Sequence, residues 1–422
     1  MFVKRISVSN FKSFRSLDIE LNSFNVLVGA NSSGKSNFLE IFRFLRDIAT
    51  HGLNNAISLQ GGVEYLRNTN IGTSAELTVK VVYRPNIGTF RKMGQQGDVE
   101  QGIEMRSQEL IHDFALSFAE KGYRISRDRL IRKVAFFEIE TKDEEIVQEK
   151  KVGEEEVSIF RVGDKFEYAL SDESLSEWIG KPHSLLFEPN FQQFLRPDLL
   201  LLEPGVINFG TLPGYRLTDI SIYDFAPKTS KKAVPITGKM DLEEDGSNLP
   251  VVLKNILENE YKRRKFLNLS KYLLDFVDDV QVEDVAGKFL FLTFKEHLSP
   301  SIYLPANLMS EGTISLLSLL VATYFQEKPL IMIEEPERNI HPFLIAKVVD
   351  MLKEVSENKQ IVITTHNPEI VKQVDLANIL LLSKDKEGFS TISRPSENTE
   401  VKIFLENEIG IGDLYIQNLL GV

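Results

Sequence analysis

The segment Gly29-Ala30-Asn31-Ser32-Ser33-Gly34-Lys35-Ser36 narrows the possible folds of this chain more than any other stretch. It follows the G-x-x-x-x-G-K-S pattern. It lies between a short apolar run at 24–28 and residues 35–48, where Phe38, Ile41, Phe42 and Leu45 recur at helical spacing. Strand, glycine-rich turn and helix in that order make a phosphate cradle. Gly29 and Gly34 let the backbone N–H groups of Asn31, Ser32 and Ser33 turn inward, with Asn37 continuing into the first helical turn. Lys35 supplies a positive charge to the β- and γ-phosphates, and Ser36 offers a hydroxyl to Mg²⁺. An ordinary Gly/Ser turn would need neither flank.

Two further strands end in chemistry. Leu330-Ile331-Met332-Ile333 is apolar throughout and runs into Glu334, Glu335 and Pro336, which places carboxylates at the carboxyl edge of a buried strand. Because side chains alternate along a strand, both acids serve one site only if the chain turns between them. We expect Glu334 to hold the metal, mostly through water, and Glu335 to orient or deprotonate an attacking water. The alternative is a pair of acids capping the next helix. A second apolar strand, Ile361-Val362-Ile363-Thr364-Thr365, ends at His366, which could donate to a γ-phosphate or could be merely structural. Of six histidines none falls in a cluster at zinc-ligand spacing.

With 422 residues, 42% hydrophobic and 26% charged, the chain is long enough for several buried cores. No run reaches the roughly 20 apolar residues of a membrane span, because Gln326, Glu327 and Lys328 interrupt the greasiest stretch. The start of the chain reads as an alternating strand rather than a signal segment. Cysteine is absent, which fits a reducing, cytoplasmic setting and removes thiol chemistry. A net charge of −12 argues against a uniformly basic nucleic-acid wrap. Three zones are expected. Residues 1–85 combine antiparallel strands with the phosphate loop. Residues 86–300 form a compact α+β insertion with hairpin-like strands near 134–140 and 157–162 and helices near 249–260 and 261–277. Residues 301–422 alternate helix and strand as in a parallel sheet, closing with strands and a terminal helix.

At this point the chain resembles the RecF, SMC and OLD-like branch of ABC ATPases, especially stand-alone ATPases of bacteria and phage-defence systems. The opening Ile6-Ser7-Val8-Ser9-Asn10-Phe11-Lys12-Ser13-Phe14 looks like the family's first strand. Leu308-Met309-Ser310-Glu311-Gly312-Thr313 looks like its signature, Glu334 to His341 its Walker B and D-loop run, and Thr365-His366-Asn367-Pro368 its switch histidine. Residues 242–253 and 409–422 carry weaker similarity. The resemblance implies an α/β P-loop NTPase of ABC type: a mixed central sheet with covering helices, an N-terminal antiparallel β subdomain and an α+β insertion. It also implies ATP and Mg²⁺ as cofactors, slow hydrolysis, and a homodimer in which Ser310 and Gly312 complete the partner's site. Departures are Glu334 where the family has Asp, and Glu311 and Ile314 inside the signature. Gln60 is a candidate Q-loop glutamine, with a surface turn as the alternative.

The residues after His366 are too few for the nuclease domain of OLD enzymes, and 85–300 shows no heptads for SMC arms. Two readings remain. In one, an ATPase acts with DNA, as in RecF-like repair, with Lys262-Arg263-Arg264-Lys265 either contacting phosphate or solvating a helix face. In the other, an ATP-gated scaffold or sensor holds and releases a separate effector, as the ATPase halves of Septu or PARIS defence systems do. A transporter motor would need a clear Q-loop and coupling region.

Overall fold

A computed structural model describes residues 2–84, 89–96, 99–119, 122–142, 145–163, 165–171, 199–204, 217–236, 238–299, 301–397 and 415–416. The chain forms two compact units that interleave in sequence. The first takes residues 1–21, 40–219 and 385–391; the second takes 22–39, 220–384 and 392–422.

The second unit holds five parallel strands in the order Ile220–Tyr223, Leu330–Glu334, Gln360–Thr365, Phe24–Val28 and Ile379–Lys384. Their largely apolar sequences are what a sheet covered on both faces requires. Phe24–Val28 and Gln360–Thr365 are buried at every position. The helices Glu311–Leu320 and Pro342–Ser356 cover the sheet. Ile314, Leu317, Leu320, Val348, Val349 and Leu352 join Ile331, Ile333, Ile361 and Ile363 in one core. A separate antiparallel sheet, Val234–Pro235, Val277–Val285, Phe289–Glu296 and Leu304–Pro305, belongs to the same unit together with the helices Leu249–Glu258 and Glu260–Leu273.

The helix that follows the signature does not keep its α geometry. It is α-helical over Glu311–Leu320 and continues as a π-helical turn, Val321–Phe325. Lys359 holds that turn, its Nζ donating to the carbonyls of Thr323 at 2.7 Å and Gln326 at 2.6 Å.

The first unit is antiparallel. Phe14–Glu20, Phe2–Phe11, Leu77–Arg84, Val99–Phe118, Tyr123–Lys142, Glu145–Val162 and Lys165–Leu170 pair in that order, and Thr89–Gln96 adds to Val99–Phe118. The hairpin-like segments expected near 134–140 and 157–162 lie inside strands of 20 and 18 residues. A buried ionic cluster ties residues 199–204 to these strands. His112 Nε2 meets Asp128 Oδ1 at 2.9 Å, Asp128 Oδ2 accepts the Leu201 N–H at 2.7 Å, and Arg161 donates to the Leu199 carbonyl. Parallel strands in one unit and antiparallel strands in the other give the mixed α/β architecture expected of an ABC-type P-loop protein. The terminal helix expected near the C-terminus, and most of residues 409–422, lie outside the described residues.

Candidate functional site

Parallel pairing brings three strand ends side by side, because Thr365 registers with Val28 and Glu334 with Thr364. The phosphate loop, the two acids and His366 therefore leave the same carboxyl edge of the sheet, where open α/β sheets bind ligands.

In the loop, Ser32 at φ +65° and Gly34 at φ +117° give the backbone the left-handed bends of an anion cradle. Only glycine takes the conformation at position 34 without strain. Asn31 and Ser32 are exposed, Ser33 is buried, and Asn37 is half-buried in the first turn of the helix Lys35–His51. The Ser33 Oγ has no partner among the described residues. Lys35 is folded under its own loop, its Nζ donating to the carbonyls of Gly29 at 2.8 Å and Ala30 at 3.0 Å. Burial lowers its affinity for the proton below the ordinary lysine value, against the pull of Glu335, Glu334 and Glu337. Those three acids are thus close enough to act on the amine.

Ser36 Oγ donates to Glu334 Oε1 at 2.5 Å. A hydroxyl and a carboxylate in contact form an all-oxygen pair suited to a hard cation. Mg²⁺ ordinarily takes few protein ligands and completes its shell with phosphate oxygens and water, so the residues present fit it.

The chain turns after Glu334 as the two-acid reading requires. Glu335 sits at φ +45°, an uncommon conformation for a residue with a Cβ, and its N–H returns to the Thr364 carbonyl at 3.0 Å. Its carboxylate is divided between two partners. Oε1 meets His366 Nδ1 at 2.6 Å, and Oε2 receives the Arg338 guanidinium at 3.3 Å. Arg338 also reaches Asp224 Oδ1 at 2.8 Å, at the end of the neighbouring strand Ile220–Tyr223.

At the signature, Ser310 caps the helix Glu311–Leu320 by accepting the Thr313 N–H at 3.0 Å. Ser310 is exposed whereas Gly312 is buried against the turn after the acids. A Cβ at position 312 would stand 2.4 Å from the Asn339 carbonyl oxygen. Gln60 is no surface turn. It is buried in the first unit, where it hydrogen-bonds Glu40. Sequence reasoning passed over Asp224 and gave no individual role to Glu337, Arg338 and Thr365, which lie within the motif runs it recognised. The signal for Glu337 and Arg338 was their place in the acidic run, and Asp224 had none.

A model described as an AAA ATPase domain matches residues 1–195, which contain the phosphate loop. Another, described as "AAA domain, putative AbiEii toxin, Type IV TA system", matches residues 246–372, which contain the signature, the acids and His366. No curated protein matches the chain. Solved structures similar to it include an SMC head bound to the C-winged helix domain of ScpA, at 13% identity over 93% of this chain and 98% of that one, with a TM-score of 0.47. The SMC head domain from Thermotoga maritima is also 13% identical, over 93% and 99%, with a TM-score of 0.45. A Smc head with an extended coiled coil, bound to the C-terminal domain of ScpA derived from Pyrococcus furiosus, is 13% identical over 97% and 100%, with a TM-score of 0.41.

Proposed function

We propose that this chain is an ABC-type P-loop ATPase of the RecF and SMC class that binds ATP with Mg²⁺ in the 29–36 cradle, hydrolyses it slowly, and closes two copies on each other around the nucleotide; the matches to AAA ATPase models support the ATPase part of the reading. The observation that carries the reading is the convergence of Lys35, Ser36, Glu334, Glu335 and His366 at three adjacent strand ends.

Each residue has a role that its surroundings support. Backbone N–H groups of the loop and the Lys35 amine bind the β- and γ-phosphates. Ser36 and Glu334 hold the cation, which when bound offsets the phosphate charge. Glu335 orients the attacking water and accepts its proton, and His366, steadied by Glu335, donates to the γ-phosphate. Glutamate in the place of the family's aspartate at position 334 puts a longer, more flexible arm on the metal, which supports slow turnover.

The dimer reading draws on the signature. Ser310 is an exposed residue at a helix N-terminus, where anions are favoured, and its hydroxyl caps that helix. Gly312 adjoins Asn339, and exposed Leu308 and Phe343 flank these two segments, at 67% and 76% accessibility. Such side chains are ones that a second copy would cover.

Closure would be read out by DNA or by a separate effector protein. We favour the effector, because 262–265 does not present a single basic face for DNA. Four consecutive helical residues spread around the axis rather than lining one face. Arg263 lies 3.7 Å from Asp279, and Lys265 lies over the Tyr324 ring at 5.2 Å.

Sizing of wild type and Glu335→Gln in saturating Mg-ATP, with and without DNA, tests the reading. The variant should lose about 10²- to 10⁴-fold in turnover and accumulate as a nucleotide-stabilised dimer. Monomers throughout would reject the sandwich. A shift that appears only with DNA would favour the repair-like reading over the effector.

A further inference from the structure

Glu337 follows Glu335 by two residues in the same turn and is 7% exposed. Its Oε1 accepts a hydrogen bond from Thr365 Oγ1 at 2.5 Å, and its Oε2 has no donor among the described residues. Thr365 Oγ1 in turn accepts the Asn367 N–H at 2.9 Å. One hydroxyl thus spans His366, donating a hydrogen bond to Glu337 and accepting one from the residue beyond the histidine. The turn is closed by Arg338 N–H to the Glu335 carbonyl at 2.9 Å and Ile340 N–H to the Glu337 carbonyl at 3.0 Å, which sets the spacing of the two carboxylates. Glu335 holds the imidazole and Glu337 holds the backbone around it. A third tie comes from the Tyr415 hydroxyl, which donates to the His366 carbonyl at 3.3 Å.

A buried carboxylate with only one oxygen satisfied costs stability, and an apolar side chain of similar size would fill the space at less cost. Burial also pushes this carboxyl above the ordinary carboxylate range. Packing therefore gives no reason for an acid here, whereas the hydrogen bond to the histidine loop does.

We infer that Glu337 is a positioning residue for His366. Acting through Thr365, it fixes the backbone on both sides of the imidazole, so that the ring meets Glu335 and the nucleotide in one orientation. The inference rests on the ATPase reading above. It adds a residue that acts through the histidine loop rather than on the reacting atoms.

The test uses the full chain and four substitutions, Glu337→Met, Glu337→Gln, Thr365→Val and Thr365→Ser, measured for kcat, KM and Tm. Glu337→Met and Thr365→Val should lower kcat by roughly 10- to 100-fold, the scale of a misplaced catalytic group, with KM changed less than about threefold. Glu337→Met should leave Tm unchanged or higher. Glu337→Gln keeps an acceptor oxygen and Thr365→Ser keeps a hydroxyl, so each should recover most of the lost kcat. In a His366→Ala background the Met and Val substitutions should cause no further loss. Full kcat in Glu337→Met with wild type active, Tm and kcat falling together, or losses that multiply with His366→Ala would each overturn the positioning role alone. A wild type that turns over no ATP would overturn the ATPase reading and this inference with it.

Discussion

Gly312 and Glu335 show how single backbone positions set this site. Glu335 occupies a left-handed conformation that costs a side-chain-bearing residue on the order of 1–3 kcal/mol. It is held there by a strand N–H bond and by two partners for its carboxylate. The left-handed turn takes the second acid away from the strand, so the two carboxylates have separate partners, Ser36 for Glu334 and His366 with Arg338 for Glu335. Gly312 is constrained by a neighbour instead, since a Cβ would press on the Asn339 carbonyl at 2.4 Å. Gly312→Ala should therefore cost about 1–3 kcal/mol in urea denaturation, the range for an overfilled contact. An unchanged midpoint would show that the signature and the turn separate easily. The same contact explains a glycine that sequence reasoning had placed only by its role toward nucleotide. Glu337 was given no role of its own because a sequence does not reveal that an acid in a charged run is buried.

At the scale of elements, legibility followed hydrophobic pattern. The strands Leu330–Glu334 and Gln360–Thr365 match their expected bounds, because short apolar runs ending in polar residues leave few alternatives. The long strands of the first unit were read only in fragments. Register shifts at Ser107/Glu109 and Ala115/Leu116 break their alternation, and buried Glu104, Arg132 and Glu155 put charge where period-two reasoning expects apolar side chains. The π-helical turn was equally hidden, since residues 313–325 carry an uninterrupted helical pattern. Its anchor, Lys359, has a lowered proton affinity, down to about 8, through burial and nearby Lys265. The unfolded chain holds that proton to a higher pH than the folded one, so stability should rise as pH increases from about 8 toward the ordinary lysine value. Wild type should gain thermal stability over Lys359→Met between pH 7.5 and pH 9.5. A gap that stays constant or shrinks would remove Lys359 from that role.

For the whole molecule, nucleotide should act as a stabilising ligand. Mg-ATP at about 100 times its Kd adds about 2.7 kcal/mol to a folded state that binds it. Thermal melts should therefore shift upward by several degrees with Mg-ATP, and chelation by EDTA should remove most of the gain. Equal shifts with and without the metal would take Ser36 and Glu334 out of cation binding. The order of segments has a temporal consequence as well. Phe24–Val28, which carries the phosphate loop, pairs on its two sides with Gln360–Thr365 and Ile379–Lys384. During synthesis on the ribosome, the loop's strand emerges well before either flank exists. A nascent chain arrested between the two carries the loop without its neighbours, and should gain affinity for nucleotide only once residues 360–384 have joined the sheet.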